Sequence, residues 1–192
     1  MKYRVLSLLI LCLCQTVLAQ NKYERETRIK REQFPKNALD LIQDQLSHAK
    51  RIRFYQETDS TKNSYEAKFK KGRLHYSVEF DQNGVLEDIE FRITEVDIPE
   101  ETWLAITQHL EQNHPKYRIK KIQQQYPAGQ QTLEKTVHDA FQNLILDYVN
   151  YEVVFAAKAN KGFQTYEALF NSEGQLIILR KSFPPSYDHV LY

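Results

Sequence analysis

The stretch YEAKFKKGRLHYSVEFDQNGVL, residues 65–86, decides the fold because its pattern returns at residues 151–176 as YEVVFAAKANKGFQTYEALFNSEGQL. The glycines and aromatic residues of the two stretches match in order, and four of the chain's five glycines take part. The two stretches begin 86 positions apart and their last glycines stand 90 apart, since the first hairpin of the second stretch is longer. The pattern therefore predicts an internal repeat.

Both stretches alternate between apolar and polar side chains, as strands with one buried face do. In the first stretch one face carries Leu74, Tyr76, Val78 and Phe80, and the other carries Arg73, His75, Ser77 and Glu79. Glycine favours the positive φ angle that tight turns require. Hairpin turns are therefore expected at Gly72, Asn83-Gly84, Gly162 and Glu173-Gly174.

A helix and a basic strand precede each stretch. Phe34-Pro35 and Ile98-Pro99 begin the helices, because proline fits the first turn of a helix. Apolar residues follow at helical spacing, Leu39, Ile42 and Leu46 in the first helix and Trp103, Ile106 and Leu110 in the second. The basic strands are residues 50–55 and 117–122. The sequence predicts an α+β fold of two tandem units, each a helix plus a four-stranded antiparallel sheet.

The first unit is expected at 34–95 and the second at 96–182, with an extra helix inserted at about 130–147. The apolar spacing of the insertion comes from Leu133, Val137, Ala140, Phe141, Leu144 and Tyr148. Sheet positions that are charged in the first unit are apolar in the second, namely Val154, Ala156, Leu169, Ile177 and Leu179. We expect the inserted helix to cover that second face, with a partner or second subunit as the alternative. The sequence leaves open whether the units share one sheet.

The first twenty residues, MKYRVLSLLILCLCQTVLAQ, have the three parts of a secretory signal peptide. Lys2 and Arg4 precede an apolar run that is too short to span a membrane, and cleavage is expected after Ala19. The expected location is the periplasm or the exterior, with no membrane span after cleavage. Both cysteines lie in the signal peptide, so the mature chain would have no disulfide and no thiol chemistry.

The repeat resembles the PepSY-like family of exported bacterial proteins, related in fold to the secreted β-lactamase-inhibitor protein. The residues that carry the resemblance are Ile98-Pro99, Tyr151-Glu152-Val153 and Tyr166 through Gly174, with Phe34-Pro35, Tyr65-Glu66-Ala67 and Phe80-Asp81-Gln82-Asn83-Gly84 in the first unit. The resemblance implies a noncatalytic α+β protein whose relatives include peptidase-inhibiting and enzyme-inhibiting modules. The secreted inhibitor has disulfides that this mature chain cannot form, and its lactamase contacts match no position here. Inhibition of a β-lactamase is therefore not implied.

The residues give no sign of an enzyme, a metal site or a cofactor site. No serine lies in a Gly-x-Ser-x-Gly turn, no glycine-rich phosphate loop is present, and no carboxylate pair lies in an apolar setting. His109 and His114 are five residues apart and would diverge on a helix, while His138-Asp139 and His75 suit solvated surfaces. A formal charge of +1 gives no basic excess for binding nucleic acid.

Basic and aromatic residues gather on one predicted sheet surface. Arg51, Arg53 and Tyr55 share a strand face beside Lys68, Lys70 and His75. Arginine and tyrosine are enriched at interface hot spots, so these six residues are the candidate partner site. The alternative is an ordinary solvated sheet face.

The predicted function is noncatalytic recognition of a protein or peptide in the cell envelope, with inhibition or regulation of an envelope enzyme as one form of it. A small-ligand or ion-sensing envelope protein is the second interpretation, and an enzyme with a dispersed site is the third. Residues 20–33 are expected to be an N-terminal linker. The aromatic tail at 183–192 either straps the two units together or docks on another protein.

Overall fold

The computed structural model describes residues 20–22, 24–59, 62–160 and 162–182. The predicted signal peptide and the tail at 183–192 lie outside the described residues, so their expected roles stay predictions. The strands are β1 Gln20–Lys22, β2 Glu24–Ile29, β3 Lys50–Asp59, β4 Lys62–Lys71, β5 Leu74–Asp81, β6 Leu86–Ile93, β7 Tyr117–Pro127, β8 Asn150–Lys158, β9 Phe163–Phe170 and β10 Leu176–Ser182. The helices are α1 Lys36–Leu46, α2 Glu100–Asn113 and α3 Leu133–Phe141.

The prediction of two tandem helix-plus-four-strand units is wrong, because the strands form one continuous sheet. Strands β2 to β10 make a nine-stranded antiparallel sheet in chain order, and β1 adds to its edge parallel to β10. The two predicted units join where β6 pairs with β7, from Asp88 opposite Pro127 to Ile93 opposite Ile122. Separate sheets would leave the backbone groups of two more edge strands unpaired, and this pairing satisfies them. Residues 20–33, expected to be a linker, contain β1 and β2.

All three helices pack on one face of the sheet, around a single apolar core. Phe34, just before α1, contacts Phe80 of β5 at 5.7 Å between ring centroids, and Phe141 of α3 stacks on Tyr76 of the same strand at 4.7 Å. Ile106 and Leu110 place α2 in the same core. The expectation that the inserted helix covers the opposite face is therefore wrong, and α3 is shorter than the predicted 130–147. Leu179, expected on that opposite face, packs against the core instead.

Two hairpin turns dock against the first turns of α1 and α2 in equivalent ways. Asn37 Nδ2 of α1 donates to the carbonyl oxygens of Asn83 at 3.0 Å and Gly84 at 2.9 Å. Thr102 Oγ1 of α2 donates to the carbonyl oxygen of Ser172 at 2.6 Å. The sequence repeat is thus a repeated contact between a helix start and the turn of a hairpin.

The sheet curls toward its polar face. β1 pairs with β10 at one edge while β2 pairs with β3 at the other, and only one residue separates β1 from β2. Lys22 and Glu24 can therefore be no more than about 7 Å apart between Cα atoms, which brings the two edges together. Glu66 and Glu90 are only 4% and 6% exposed, although all three helices of the described residues lie on the other face. The polar side chains shield one another, so this surface is called the concave face below.

Candidate partner-binding groove on the concave face

The six residues predicted as a partner site lie together at one end of the concave face. β3 carries Arg51, Arg53 and Tyr55, β4 carries Lys68 and Lys70, and β5 carries His75. The strand register places Arg53 opposite Lys68 and Lys70 opposite His75. All six line one cavity of about 450 Å³, which we call the basic groove. Their role in binding a partner stays a prediction.

Two cations of the basic groove were missed by the sequence interpretation. Arg92 of β6 and Lys121 of β7 line the cavity together with Phe69, Tyr76, Ser77 and Gln123. Arg92 lies beside His75 because β6 pairs with β5, and Lys121 comes into reach because β7 pairs with β6. The repeat could have indicated Lys121. It lies opposite Val154 of β8, and Val154 corresponds in the repeat to Lys68 of β4, which lies opposite Arg53.

Arg51 is held in an uncommon backbone conformation with φ of 57°. The pairing between β3 and β4 is irregular at this point. Lys50 lies opposite Lys70 and Arg53 lies opposite Lys68, so β3 advances by three residues while β4 advances by two. Such a bulge bends its strand and re-aims a side chain. Arg51 and Arg53 both line the basic groove. A left-handed conformation costs a non-glycine residue about 1–2 kcal/mol, and such strain tends to cluster at functional sites.

Lys68 differs from the other cations because carboxylates neutralise it. Its Nζ lies 2.7 Å from Glu66 Oε2, 2.9 Å from Glu26 Oε1 and 5.0 Å from the centroid of the Tyr55 ring. Burial lowers the pKa of Lys68, but the two carboxylates outweigh burial and hold the pKa above its ordinary value. Lys121 is likewise paired with Glu152 at 3.3 Å. These two lysines stabilise the face and add little free charge to the basic groove.

Four other cations of the basic groove differ from these two lysines. Within the part of the chain that the structure describes, no carboxylate forms an ion pair with Arg51, Arg53, Lys70 or Arg92. Arg51, Arg53 and Arg92 are exposed, as is the neighbouring His75. The basic groove therefore offers a concentrated positive charge to a ligand.

A strip of carboxylates lies beside the basic groove on the same face. Glu66, Glu79 and Asp88 stand directly opposite one another on β4, β5 and β6, an arrangement in which like charges repel. Glu90 lies next to Asp88 and accepts from Gln125 Nε2 at 3.2 Å. Burial, with Asp88 and Glu90 nearby, raises the pKa of Glu79 well above its ordinary value. We call these four residues the acidic strip.

One set of carboxylates has the spacing of a metal site, but a lysine lies among them. Oxygens of Glu26, Glu57 and Glu66 lie within 4.8 Å of one another. The Lys68 ammonium contacts two of the three, at 2.7 Å and 2.9 Å. A side-chain cation thus already occupies the position between two of these carboxylates.

His109 of α2 and His114, the residue that follows the helix, are half-buried. His109 packs edge-on against Phe170 at 5.6 Å, and the His114 ring lies 5.0 Å from Phe155. Burial lowers the pKa of both histidines. They pack as aromatic side chains at the end of α2.

Asp139 of α3 is also buried, although the sequence placed it on an exposed helical face. Its carboxylate accepts from Lys135 Nζ at 2.5 Å and Tyr148 Oη at 2.7 Å, and it lies 3.2 Å from His138 Nδ1. His138 itself is exposed, as expected. The hydrogen bond from Lys135 is the main reason that the pKa of Asp139 falls to about 2. This network holds α3 to the following loop.

Comparison with known proteins shows a shared fold. A DUF2874 family protein from Bacteroides ovatus matches with a TM-score of 0.52 and 13% identity over 77% of this chain and 87% of its own. A candidate periplasmic protein from Bacteroides eggerthii matches with a TM-score of 0.51 and 11% identity over 77% and 88%. A BLIP-like protein from Bacteroides fragilis matches with a TM-score of 0.49 and 13% identity over 81% of this chain and 92% of its own.

No family model matches the sequence, and no curated protein does. The structural neighbours support the fold and do not support assignment to the PepSY-like family. Among the described residues, no helix is both long enough and apolar enough to cross a membrane.

Proposed function

We propose that this chain is a noncatalytic periplasmic module that binds a protein or peptide in the basic groove of its concave face. The observation that carries the proposal is a cavity of about 450 Å³ whose lining includes four cations with no carboxylate partner among the described residues. Regulation or inhibition of an envelope enzyme is the form of this function that the sequence resemblance implies.

The arrangement of charge supports an interface rather than an ordinary solvated surface. Lys68 and Lys121 are neutralised by neighbouring carboxylates, whereas Arg51, Arg53 and Arg92 extend into the same cavity without such partners in the described residues. Arginine is enriched at interfaces because its planar group combines several donors with a weakly hydrated charge. Tyr55 adds an aromatic surface beside them. A partner with complementary charge would gain from this arrangement.

Two observations support a periplasmic location and a noncatalytic binding role. The neighbour from Bacteroides eggerthii is described as a candidate periplasmic protein, and the first twenty residues have the pattern of a signal peptide. The structures that share the fold are described without a catalytic activity. Both agree with a binding module that acts outside the cytoplasm.

A small-ligand sensor is the second candidate, favoured by the size of the basic groove. Ligand pockets usually have volumes of about 300–1,000 Å³, and the basic groove falls in that range. Such pockets are mostly apolar, however, whereas this one is lined mainly by charged and polar side chains. A protein segment fits this lining better.

The test is affinity capture from a native envelope fraction with residues 20–192 as bait. The variant Arg51→Glu with Arg53→Glu should lose the captured partner, while its melting temperature stays near that of the wild type. The matched control, Lys36→Glu with Lys181→Glu, makes the same change of charge at exposed positions outside the basic groove. If the groove variant keeps its partner, or the control loses it equally, the basic groove is the wrong surface.

A further inference from the structure

We infer that the partner segment in the basic groove is acidic, with at least two carboxylates within four residues of an extended chain. The inference rests on the proposed function and names the chemistry of the partner. Charge complementarity is its basis, since Arg51, Arg53, Lys70 and Arg92 form no ion pair with any described carboxylate.

The spacing of the cations sets the spacing of the carboxylates. Lys70 lies directly opposite His75, and Arg92 lies beside His75, one residue beyond the Tyr76–Phe91 pair. Neighbouring strands are about 4.8 Å apart, so Lys70 and Arg92 are separated by about 10 Å across β4, β5 and β6. An extended segment in the polyproline II conformation has three residues per turn and rises about 3.1 Å per residue, so its positions i and i+3 lie on the same side about 9 Å apart. Carboxylates at positions i and i+3 of a segment that crosses these strands would meet both cations.

Arg51 supplies the most directional contact. Its guanidinium can donate two parallel hydrogen bonds to one carboxylate, which an ammonium cannot do. The bulge in β3 brings this side chain into the basic groove at a φ angle of 57°, where glycine or asparagine would be more stable. The chain thus keeps an arginine at a position where the backbone disfavours it.

The acidic strip limits what else can occupy the basic groove. Glu66 lies two residues from Lys68 along β4, and Glu79 lies two residues from Ser77 along β5, so negative charge begins immediately beyond the cations. A long polyanion such as nucleic acid would run onto these like charges. A flat anionic membrane cannot follow the concave face. A short acidic segment of a polypeptide satisfies both limits.

The experiment measures fluorescence anisotropy of a labelled tetraglutamate peptide with blocked ends, titrated with residues 20–192. Tetraglutamate should bind, and its Kd should rise about tenfold between low and high salt because exposed ion pairs are screened. Tetraglutamine and tetralysine should not bind. Absence of tetraglutamate binding at millimolar protein would overturn the inference. Tighter binding of single-stranded oligothymidylate or of phosphatidylglycerol vesicles would overturn it as well.

Variants at Arg51 separate binding from folding. Arg51→Gly and Arg51→Asn should each raise the Kd for tetraglutamate about fivefold or more, while the melting temperature stays equal or rises because backbone strain is relieved. Lys181→Gln, outside the basic groove, should leave the Kd unchanged. An unchanged Kd in both Arg51 variants would contradict the role of that residue. A captured partner that depends on Arg51 and Arg53, combined with no tetraglutamate binding, would refute the acidic segment and leave the proposed function standing.

Discussion

Replacing Gly174 by alanine should destabilise the protein far more than the same change at Gly162. Both glycines have a left-handed backbone, with φ of 78° and 83°. A methyl group at Gly174 would lie 2.6 Å from the carbonyl oxygen of Thr102 and 2.7 Å from Ala105 Cβ, both in α2. A methyl group at Gly162 would meet nothing within 4 Å. The pair therefore separates the cost of the backbone conformation from the cost of the contact between hairpin and helix.

The loss of stability has two parts, the cost of the left-handed backbone and the cost of the clash with α2. Alanine in a left-handed conformation costs about 1–2 kcal/mol, and the smaller entropy of its unfolded chain returns about 0.4–1 kcal/mol. Gly162→Ala should therefore lower the free energy of unfolding by about 1 kcal/mol. Gly174→Ala adds a forced shift of the helix backbone, which costs about 1–3 kcal/mol, for a total of about 2–4 kcal/mol. For a chain of this size, the melting temperature should fall by about 3 °C and about 6–12 °C respectively.

Urea unfolding followed by circular dichroism gives both free energies. The fluorescence of Trp103, the chain's one tryptophan, reports on α2 in the same titration because it is adjacent to Thr102. If the two alanine variants lose equal stability, the hairpin does not dock on α2 as described. The repeated contact between hairpin and helix would then have no energetic role.

Two carboxylates should give the stability a pH dependence of opposite sign. The folded-state pKa of Glu79 is raised above 4.5, so its contribution is present below pH 4.5 and is lost as the pH rises through the raised value. Glu79→Gln should therefore stabilise the protein at pH 7, with a gain in unfolding free energy that disappears by about pH 4. The pKa of Asp139 is lowered from 3.8 to about 2, so its contribution is present above pH 3.8 and is lost as the pH falls toward 2. Asp139→Asn should cost about 1–3 kcal/mol at pH 7, and chemical denaturation between pH 2 and pH 8 should show this difference shrinking in acid.

The local parts of the fold could be predicted because short stretches specify them. The turns expected at Gly72 and Gly84 separate β4, β5 and β6, since positive φ and strand alternation are properties of a few neighbouring residues. The joining of the sheet could not be predicted. β6 and β7 pair through backbone groups, which are the same in every sequence. The whole of α2 also separates the two strands along the chain, so no short stretch specifies their pairing.

The position of α3 was mispredicted for a related reason. Apolar residues such as Ala156 and Leu169 on the second sheet face were taken to need a covering helix. Within the described residues no helix lies on that face, where Ala156 is nevertheless only 4% exposed and Ile177 is 46% exposed. The curvature of the sheet depends on how its two edges meet at β1 and β2, and these residues were expected to form a linker.

The candidate site was predictable to the extent that it lies within consecutive strands. Arg53, Lys68 and His75 came together from strand alternation alone, whereas Lys121 required the pairing of β6 with β7. The neutralisation of Lys68 by Glu26 was also unpredictable, because residue 26 lay in the expected linker. Charge compensation across a sheet thus depends on nonlocal pairing, and it decides which cations are available to a partner.

Site-specific photocrosslinking in the native envelope tests the central claim most directly. The crosslinker p-benzoylphenylalanine would replace Tyr55 in the basic groove and, in a separate variant, Leu104, which is 55% exposed on α2. The account predicts a covalent adduct of one defined mass from position 55 and none from position 104. An adduct from position 104 alone would place the partner on the helical face and contradict recognition through the concave face.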